Sequence, residues 1–326
     1  MADTALHDVA GIGNAIVDVL SHENDAFLAK HDLVKGTMAL IDADRAQALY
    51  GEMGPGIEIS GGSAANTIAG LASLGAKTAF IGKVRDDELG KVFAHDVRAL
   101  GVKFDTAPAT EGLPTARCLV MVTPDAQRTM CTFLGASGGL TPADIDEDMI
   151  AAAKITYLEG YLWDPPQAKE AFRKAVDIAK GAGRKVALSL SDKFCVDRFR
   201  AEFRELVDHG VDIVFANEEE LKSLYEVDDF DEGLQHIRGH CEIAALTRSA
   251  KGSVVLSGDE VHVVDAAPVS KVVDTTGAGD LYAAGFLYGL TQGRDLHECG
   301  RIGGIAAAEV ISHIGARPEV ALSSLI

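Results

Sequence analysis

Basic residues are scarce: 30 Lys and Arg stand against 49 Asp and Glu in a chain of 326 residues, a formal charge of −19. A surface of that sign repels phosphate backbones and anionic lipid, which argues against nucleic acid or a membrane as partner. Cysteine is sparse too. Cys118, Cys131, Cys195, Cys241 and Cys299 are odd in number, far apart and without a CxxC pair, so neither a disulfide framework nor a cysteine-bound zinc is expected. No stretch approaches the roughly 18 uninterrupted apolar residues of a membrane span, and the opening MADTALHDVAGIGNAIVDVL lacks a basic leader region. Together these absences predict a soluble protein of a reducing, cytoplasmic compartment.

Several familiar motifs fail by a residue or two. Gly11-Ile12-Gly13 opens like a dinucleotide fingerprint, but the third glycine would fall at Ile16, so close approach to a pyrophosphate is lost. GLASLGAKT at 70–78 approximates a Walker A loop, yet Ala76 displaces Lys77 and the cluster reads as the glycine cap of an apolar helix. GASGG at 135–139 does match GxSxG, making Ser137 a rival hydrolase nucleophile with a later histidine such as His313. That role needs a helix directly after the serine, which Gly138, Gly139, Thr141 and Pro142 delay. The ten histidines are scattered and suggest no metal site. Repeats, low-complexity tracts and long linkers are also missing.

What remains is an ordinary globular composition, 47% hydrophobic and 24% charged, long enough for a large α/β domain with an elaboration. The apolar run at 9–20 is strand-like but interrupted by Gly11, Gly13, Asn14 and Asp18, as if something were bound there. Residues 57–81 read as strand, Gly61-Gly62 turn, small-residue helix ending at Gly75, and strand, a β-turn-α-β unit. Helices at 89–100, 166–182 and 201–209 alternate with strands at 155–158, 185–190, 213–215 and 243–247. Such alternation predicts a mainly parallel sheet covered by helices. Residues 38–42 with 56–60, and 116–122 with 128–134 about a turn at 124–127, read instead as strands joined without long helices. They predict a small β-sheet lid, with boundaries at 19–61 and 103–135, on a core of 1–18, 62–102 and 136–326.

The stretch VVDTTGAGDLYAAGF at 272–286 carries the chemistry. A Gly-Ala-Gly turn leads into a small-residue apolar helix, so free N–H groups and the positive helix end converge on one point, an anion site formed by Gly277, Ala278 and Gly279. Asp280 falls in the first turn. An acid beside a phosphate cradle suggests a base that deprotonates a hydroxyl as it attacks phosphorus. The alternative is an N-capped structural helix after a glycine turn.

DTTGAGD at 274–280 followed by LYAAGF, and GGSAANT at 61–67 about 210 residues earlier, resemble the two signatures of the ribokinase/PfkB carbohydrate kinases, nearest the adenosine kinase branch. The resemblance covers nearly the whole chain. It implies a ribokinase-like three-layer α/β/α core with a β-sheet lid, Asp280 as base and the 277–279 amides as hole for the transferred phosphoryl. GIGNAIVD at 11–18 is similar to the family's opening, which implies that Asn14 and Asp18 grip substrate hydroxyls; a carboxylate accepting two vicinal hydroxyls suits a ribose. Gly61 and Gly62 let the backbone approach the sugar, and Asn66 offers donor and acceptor, unless it serves as a helix N-terminal hydrogen bond.

FANEEE at 215–220 resembles the family's NxxE element, which implies Asn217 near the phosphates and Glu220 in an Mg²⁺ network; a solvated helix start is the plainer reading. Thr247, Arg248 and Gly252 match the nucleotide-binding turn, although a surface turn is comparable, and Arg128 on the lid matches an arginine that in relatives approaches phosphates. Leu134 and Tyr161 are implied to contact a base, or else belong to the core.

The reading is ATP- and Mg²⁺-dependent phosphorylation of the 5′-hydroxyl of a nucleoside, adenosine first. A sugar kinase acting on ribose, fructose or ketodeoxygluconate, or an inosine or guanosine kinase, is the alternative. Some relatives respond to a monovalent cation such as K⁺ near the position of Asp274. A non-catalytic nucleoside-binding protein would keep Asn14, Asp18 and the glycine pair but has no need of Asp280. Oligomeric state, monomer or homodimer, turns on whether a partner caps the lid's edge.

Overall fold

The interrupted run at 9–20 is two strands, β1 (His7–Ile12) and β2 (Ile16–His22), and they lie in different sheets. The chain crosses between them at 13–15, which is why glycine and asparagine stand where a strand wants Val or Ile. The computed structural model describes residues 5–125 and 127–326; Ala126, inside the turn expected at 124–127, lies outside them. After β2 come α1 (Asp25–Lys30), β3 (Met38–Leu40), α2 (Ala43–Glu52) and β4 (Gly56–Gly61). The chain returns through α3 (Ser63–Ser73), β5 (Thr78–Ile81) and α4 (Glu88–Ala99), then crosses again into β6 (Ala116–Val122) and β7 (Arg128–Phe133).

From there helix and strand alternate: α5 (Glu147–Ala151), β8 (Ala153–Glu159), α6 (Pro166–Gly181), β9 (Lys185–Ser189) and α7 (Lys193–His209). Then follow β10 (Ile213–Asn217), α8 (Glu218–Tyr225), α9 (Phe230–Ile237) and β11 (Ile243–Thr247). The hairpin β12 (Ser253–Ser257) and β13 (Glu260–Val264) precedes α10 (Ala278–Thr291) and α11 (Leu296–Val310).

The large sheet runs β13-β12-β11-β10-β9-β8-β1-β5, parallel except at β12 and β13. Alternate residues of its strands enter two cores. Val9, Phe80, Tyr157 and Phe215 pack with Ile68, Phe93 and Phe286 from α3, α4 and α10. Ala10, Ile12, Leu158 and Leu188 pack with Phe172, Phe203 and Leu221 from α6, α7 and α8. Both faces are thus covered, giving the three-layer α/β/α core. From β1 the chain moves to β5 on one side, and from β8 to β11 on the other, so the order reverses between β1 and β8. Open α/β sheets bind ligands at the strand carboxyl ends beside such a reversal.

The small sheet runs β3-β7-β6-β2-β4. Leu28 of α1 and Leu49 of α2 belong with Val17, Val19, Leu119 and Met121 to one buried cluster. On its other face Ile16, Ala116, Cys118, Val120 and Val122 gather with Leu20, Met130 and Leu134.

The structure amends several expectations. The link 42–56 is not a bare loop but holds α2, and β3 pairs with β7 while β4 pairs with β2, so 38–42 and 56–60 are not partners. The β-turn-α-β unit spans two sheets, since β4 lies in the small one and β5 in the large one. The boundary drawn after Asp18 falls inside β2, which pairs in the small sheet from Ile16 onward. Residues 103–109 still follow the large unit, with Lys103 bridged to Ala79 and Ala109 to Arg85. Apolar patterning continues across each crossing, which hides where one sheet ends.

Candidate active site

Helix α10 is apolar on all sides and buried without a break from Leu281 to Leu287, so its first turn is carried into the interior. Gly277 caps it with φ +79°, a left-handed conformation, and its Cβ position lies 2.8 Å from Ala316 Cβ. Ala278 N–H donates to the Thr275 carbonyl (3.2 Å), so this one of the three expected anion-hole amides already has a partner. The N–H groups of Gly277, Gly279 and Asp280 have no acceptor among the described residues.

Asp280 takes two hydrogen bonds from α3: Ser63 Oγ donates to Oδ1 (2.6 Å) and Asn66 Nδ2 to Oδ2 (2.9 Å). Burial pushes its pKa above the usual carboxylate range, against these bonds and the charge of Arg317. Asn66, expected at the substrate, is therefore turned to Asp280. Asn66 Oδ1 is buried without a partner among the described residues, an acceptor left for something that donates.

Asp18 projects from β2 into the same cleft, and no donor among the described residues reaches its carboxylate. Burial raises it to about 6, while Arg317 and Arg128 pull down and Asp280 pushes up. A Cβ at residue 61 would lie 2.4 Å from Asp18 Oδ2, and one at residue 62, where φ is +100°, would lie 2.2 Å from the Asn14 carbonyl oxygen. Gly61 is therefore required by the Asp18 carboxylate, and Gly62 by the crossing. Asn14 is not free as Asp18 is: its Nδ2 donates to Glu159 Oε1 (2.6 Å) and Ser137 Oγ lies 2.8 Å from its Oδ1.

That last contact removes the hydrolase reading. Ser137 is fully buried, in a 3-10 turn at Gly135–Gly139 rather than before a helix, with its hydroxyl also 2.5 Å from the Leu134 carbonyl. No esterase nucleophile is presented. Leu134 joins the apolar lid face, whereas Tyr161, in a 3-10 turn after β8 and 38% exposed, is not part of that cluster. Tyr161 instead stands in the electrostatic neighbourhood of Asp192, Asp280 and Glu220.

Asn217 and Thr247 end the neighbouring strands β10 and β11 and face each other in register. Asn217 and Glu220 form a capping box: Glu220 N–H donates to Asn217 Oδ1 (2.9 Å), and Asn217 N–H and Nδ2 donate to the Glu220 carboxylate (2.9 and 2.6 Å). The acidic run is thus a helix start, solvated at Glu219 but not at Glu220. Glu220 is 5% exposed, and burial lifts it to about 7. Arg248 lies over the Phe230 ring (4.0 Å) and pairs with Glu218 (3.2 Å), and Gly252, φ +79°, closes the tight turn after it. The guanidinium expected to meet phosphate is held by protein groups.

Arg128 reaches from the lid strand β7 to the loop expected to hold an anion, where it pairs with Asp274 and its Nη1 donates to Thr276 Oγ1 (2.8 Å). Asp274 also accepts from Gly315 N–H (3.0 Å) and from Thr276. Burial works to raise Asp274, but these donors and Arg128 outweigh it and hold its pKa below the usual range. A carboxylate so surrounded does not fit a monovalent cation.

Three residues of the site escaped sequence reasoning. Glu159 and Ser63 carry no motif of their own, although Ser63 lies within GGSAANT. Arg317 donates to the carbonyls of Ser60 (3.0 and 2.8 Å) and Ala65 (2.6 Å) and to Ser60 Oγ (3.2 Å), about 250 residues away in sequence. Burial lowers it to about 10, opposed by Asp18 and Asp280.

Residues 49–321 match the model of the pfkB family carbohydrate kinases. The chain belongs to that family. A probable sugar kinase of Rhizobium etli superimposes with a TM-score of 0.92 at 53% identity, covering 98% of both chains. An adenosine kinase of Sinorhizobium meliloti gives 0.91 at 54%, again over 98% of both. The adenosine kinase of Saccharomyces cerevisiae is 28% identical over 93% of this chain and 94% of its own. The protein is a phosphotransferase with an alcohol acceptor, and kinases of this family use ATP and Mg²⁺. No helix among the described residues is long and apolar enough to cross a membrane.

Proposed function

We propose that this kinase phosphorylates the 5′-hydroxyl of a nucleoside, adenosine first. The observation that carries the reading is a pair of carboxylates in one cleft with opposite surroundings: Asp280 held by two donors beside unpaired helix amides, and Asp18 held by none. Asp18 accepts the two vicinal hydroxyls of the sugar, and the backbone at Gly61 and Gly62 supports it from below. Asp280 takes the proton of the attacking hydroxyl as that oxygen bonds to the γ-phosphorus and the bond to the β-phosphate bridge breaks, releasing ADP. Gly277 and Gly279 N–H groups receive the charge on the transferred group. The apolar lid face with Leu134 covers the base, and Tyr161 lies at the edge of the cleft.

The nucleotide lies along the carboxyl ends of β10 and β11, against Asn217, Thr247 and the 248–252 turn, with Arg248 fixing that turn through Glu218 and Phe230. Bound with the nucleotide, Mg²⁺ would neutralise phosphate charge, and the Glu220 and Asn217 oxygens would suit such a hard cation. Arg128 closes the lid onto the anion loop and limits access of water to the phosphoryl group.

The likeness to a probable sugar kinase keeps a second reading, a free sugar as acceptor. ADP release from Mg·ATP across adenosine, inosine, guanosine, ribose, fructose and ketodeoxygluconate separates the two. Adenosine is expected to be preferred, and Asp280→Asn to lower kcat by about 10²–10⁴ with little change in acceptor KM. Turnover of a free sugar alone would move the substrate, and a near-normal kcat in the variant would remove the base.

A further inference from the structure

The chain passes between the two sheets four times, at 13–15, near 62, between β5 and β6, and at 134–137. Three of these passages meet at one buried group. Asn14 Nδ2 donates to Glu159 Oε1 (2.6 Å), Ala64 N–H donates to Glu159 Oε2 (2.7 Å), and Ser137 Oγ is 2.8 Å from Asn14 Oδ1. Asn14, Glu159 and Ser137 are each 1% exposed or less. Glu159 itself is the last residue of β8, a central strand of the large sheet, so it belongs to the core and not to the lid.

A carboxylate buried on two donors is a poor way to stabilise a core, because an apolar or amide side chain of the same volume avoids the desolvation cost. What a carboxylate offers here is two acceptors on one rigid plane. One takes a donor from the first passage, the other a donor from the second, and the third is added through Asn14. Ala64 also lies between Ser63 and Asn66, the two residues that hold Asp280. The tie therefore sets the start of α3 as well as the root of the lid.

We propose that Glu159 is a positioning residue that locks the root of the lid, clamping the 13–15, 62–64 and 134–137 passages to the large sheet and thereby fixing Asp18 relative to Asp280. Its effect on acceptor binding rests on the kinase reading above; its effect on the passages does not.

Amide hydrogen exchange on the ligand-free full chain tests the lock directly. In Glu159→Leu both donors lose their acceptor, and each lost bond corresponds to about tenfold faster exchange. The increase is expected at 14–16, 62–66 and 134–137, with β9, β10 and β11 unchanged. The double variant Asn14→Asp/Glu159→Gln exchanges donor and acceptor between the two side chains. The amide NH₂ introduced at position 159 and the Ser137 hydroxyl then donate to the carboxylate introduced at position 14, while Ala64 N–H donates to the amide oxygen at 159. Protection is expected to return to near wild type, and this variant decides the matter even where the single one does not fold. Unchanged exchange at the passages, a loss spread evenly over the large sheet, or no recovery in the double variant would overturn the lock. Kinetics add a second arm: Glu159→Leu raises acceptor KM about tenfold with ATP KM unchanged. A wild type inactive on every acceptor would sink the kinase reading and leave the exchange result to judge the lock.

Discussion

Asp18 is the carboxylate whose removal separates stability from function most cleanly. The folded protein holds its proton at about 6 rather than 3.8, chiefly through burial, so ionising it at pH 8 disfavours the fold by about 3 kcal/mol. Since the folded pKa is the raised one, the group's contribution is fully present below about pH 4 and is lost as pH climbs through 6. Asp18→Asn abolishes the ionisation with almost no change of shape, and no protein donor loses a partner. The variant is therefore expected to be more stable by about 3 kcal/mol at pH 8, with the gain shrinking to under about 1 kcal/mol at pH 4. Acceptor binding, on the proposed function, is expected to move the other way. Two hydroxyls donating to a carboxylate are worth about 1.5–3 kcal/mol each, so affinity falls at least about 100-fold, and in the wild type it strengthens as pH rises through 6. Urea titrations at pH 4 and 8, with calorimetry of acceptor binding, read both effects. Equal or lower stability at pH 8, or unimpaired binding, would refute the reasoning.

Gly62→Ala forces a Cβ against the Asn14 carbonyl at a left-handed φ, and is expected to cost about 2–4 kcal/mol in urea unfolding. Arg128→Ala removes the tie between the lid and the loop before α10 while Asp274 keeps its Gly315 and Thr276 donors; proteolysis within 110–135 should accelerate about tenfold or more. Arg317→Met strips positive charge from both cleft carboxylates, so the acidic limb of the kcat/KM profile moves to higher pH. Arg317→Lys leaves the limb in place and lowers stability by about 1–3 kcal/mol through lost carbonyl bonds.

Local sequence was enough wherever the determining contacts are themselves local. The DTTGAGD turn and its apolar helix announce an acid beside free amides, because a glycine turn followed by small apolar residues has few other uses, and Asp280 lies there. The alternation of 155–247 similarly determined a parallel sheet between helices, since each element's apolar period is written within it. Even the glycines and Asn14 within the first apolar run signalled an interruption.

Tertiary structure alone decided what that interruption meant. A period-2 pattern is the same on either side of a crossing, so the passage from β1 into another sheet at 13–15 left no mark that fixes its sheet. The same holds for Glu159 and Arg317, which act on residues 145 and about 250 positions away and sit in no motif. The burial of a charged group, and so its pKa and its role, depends on what the rest of the chain packs around it, and no local window contains that.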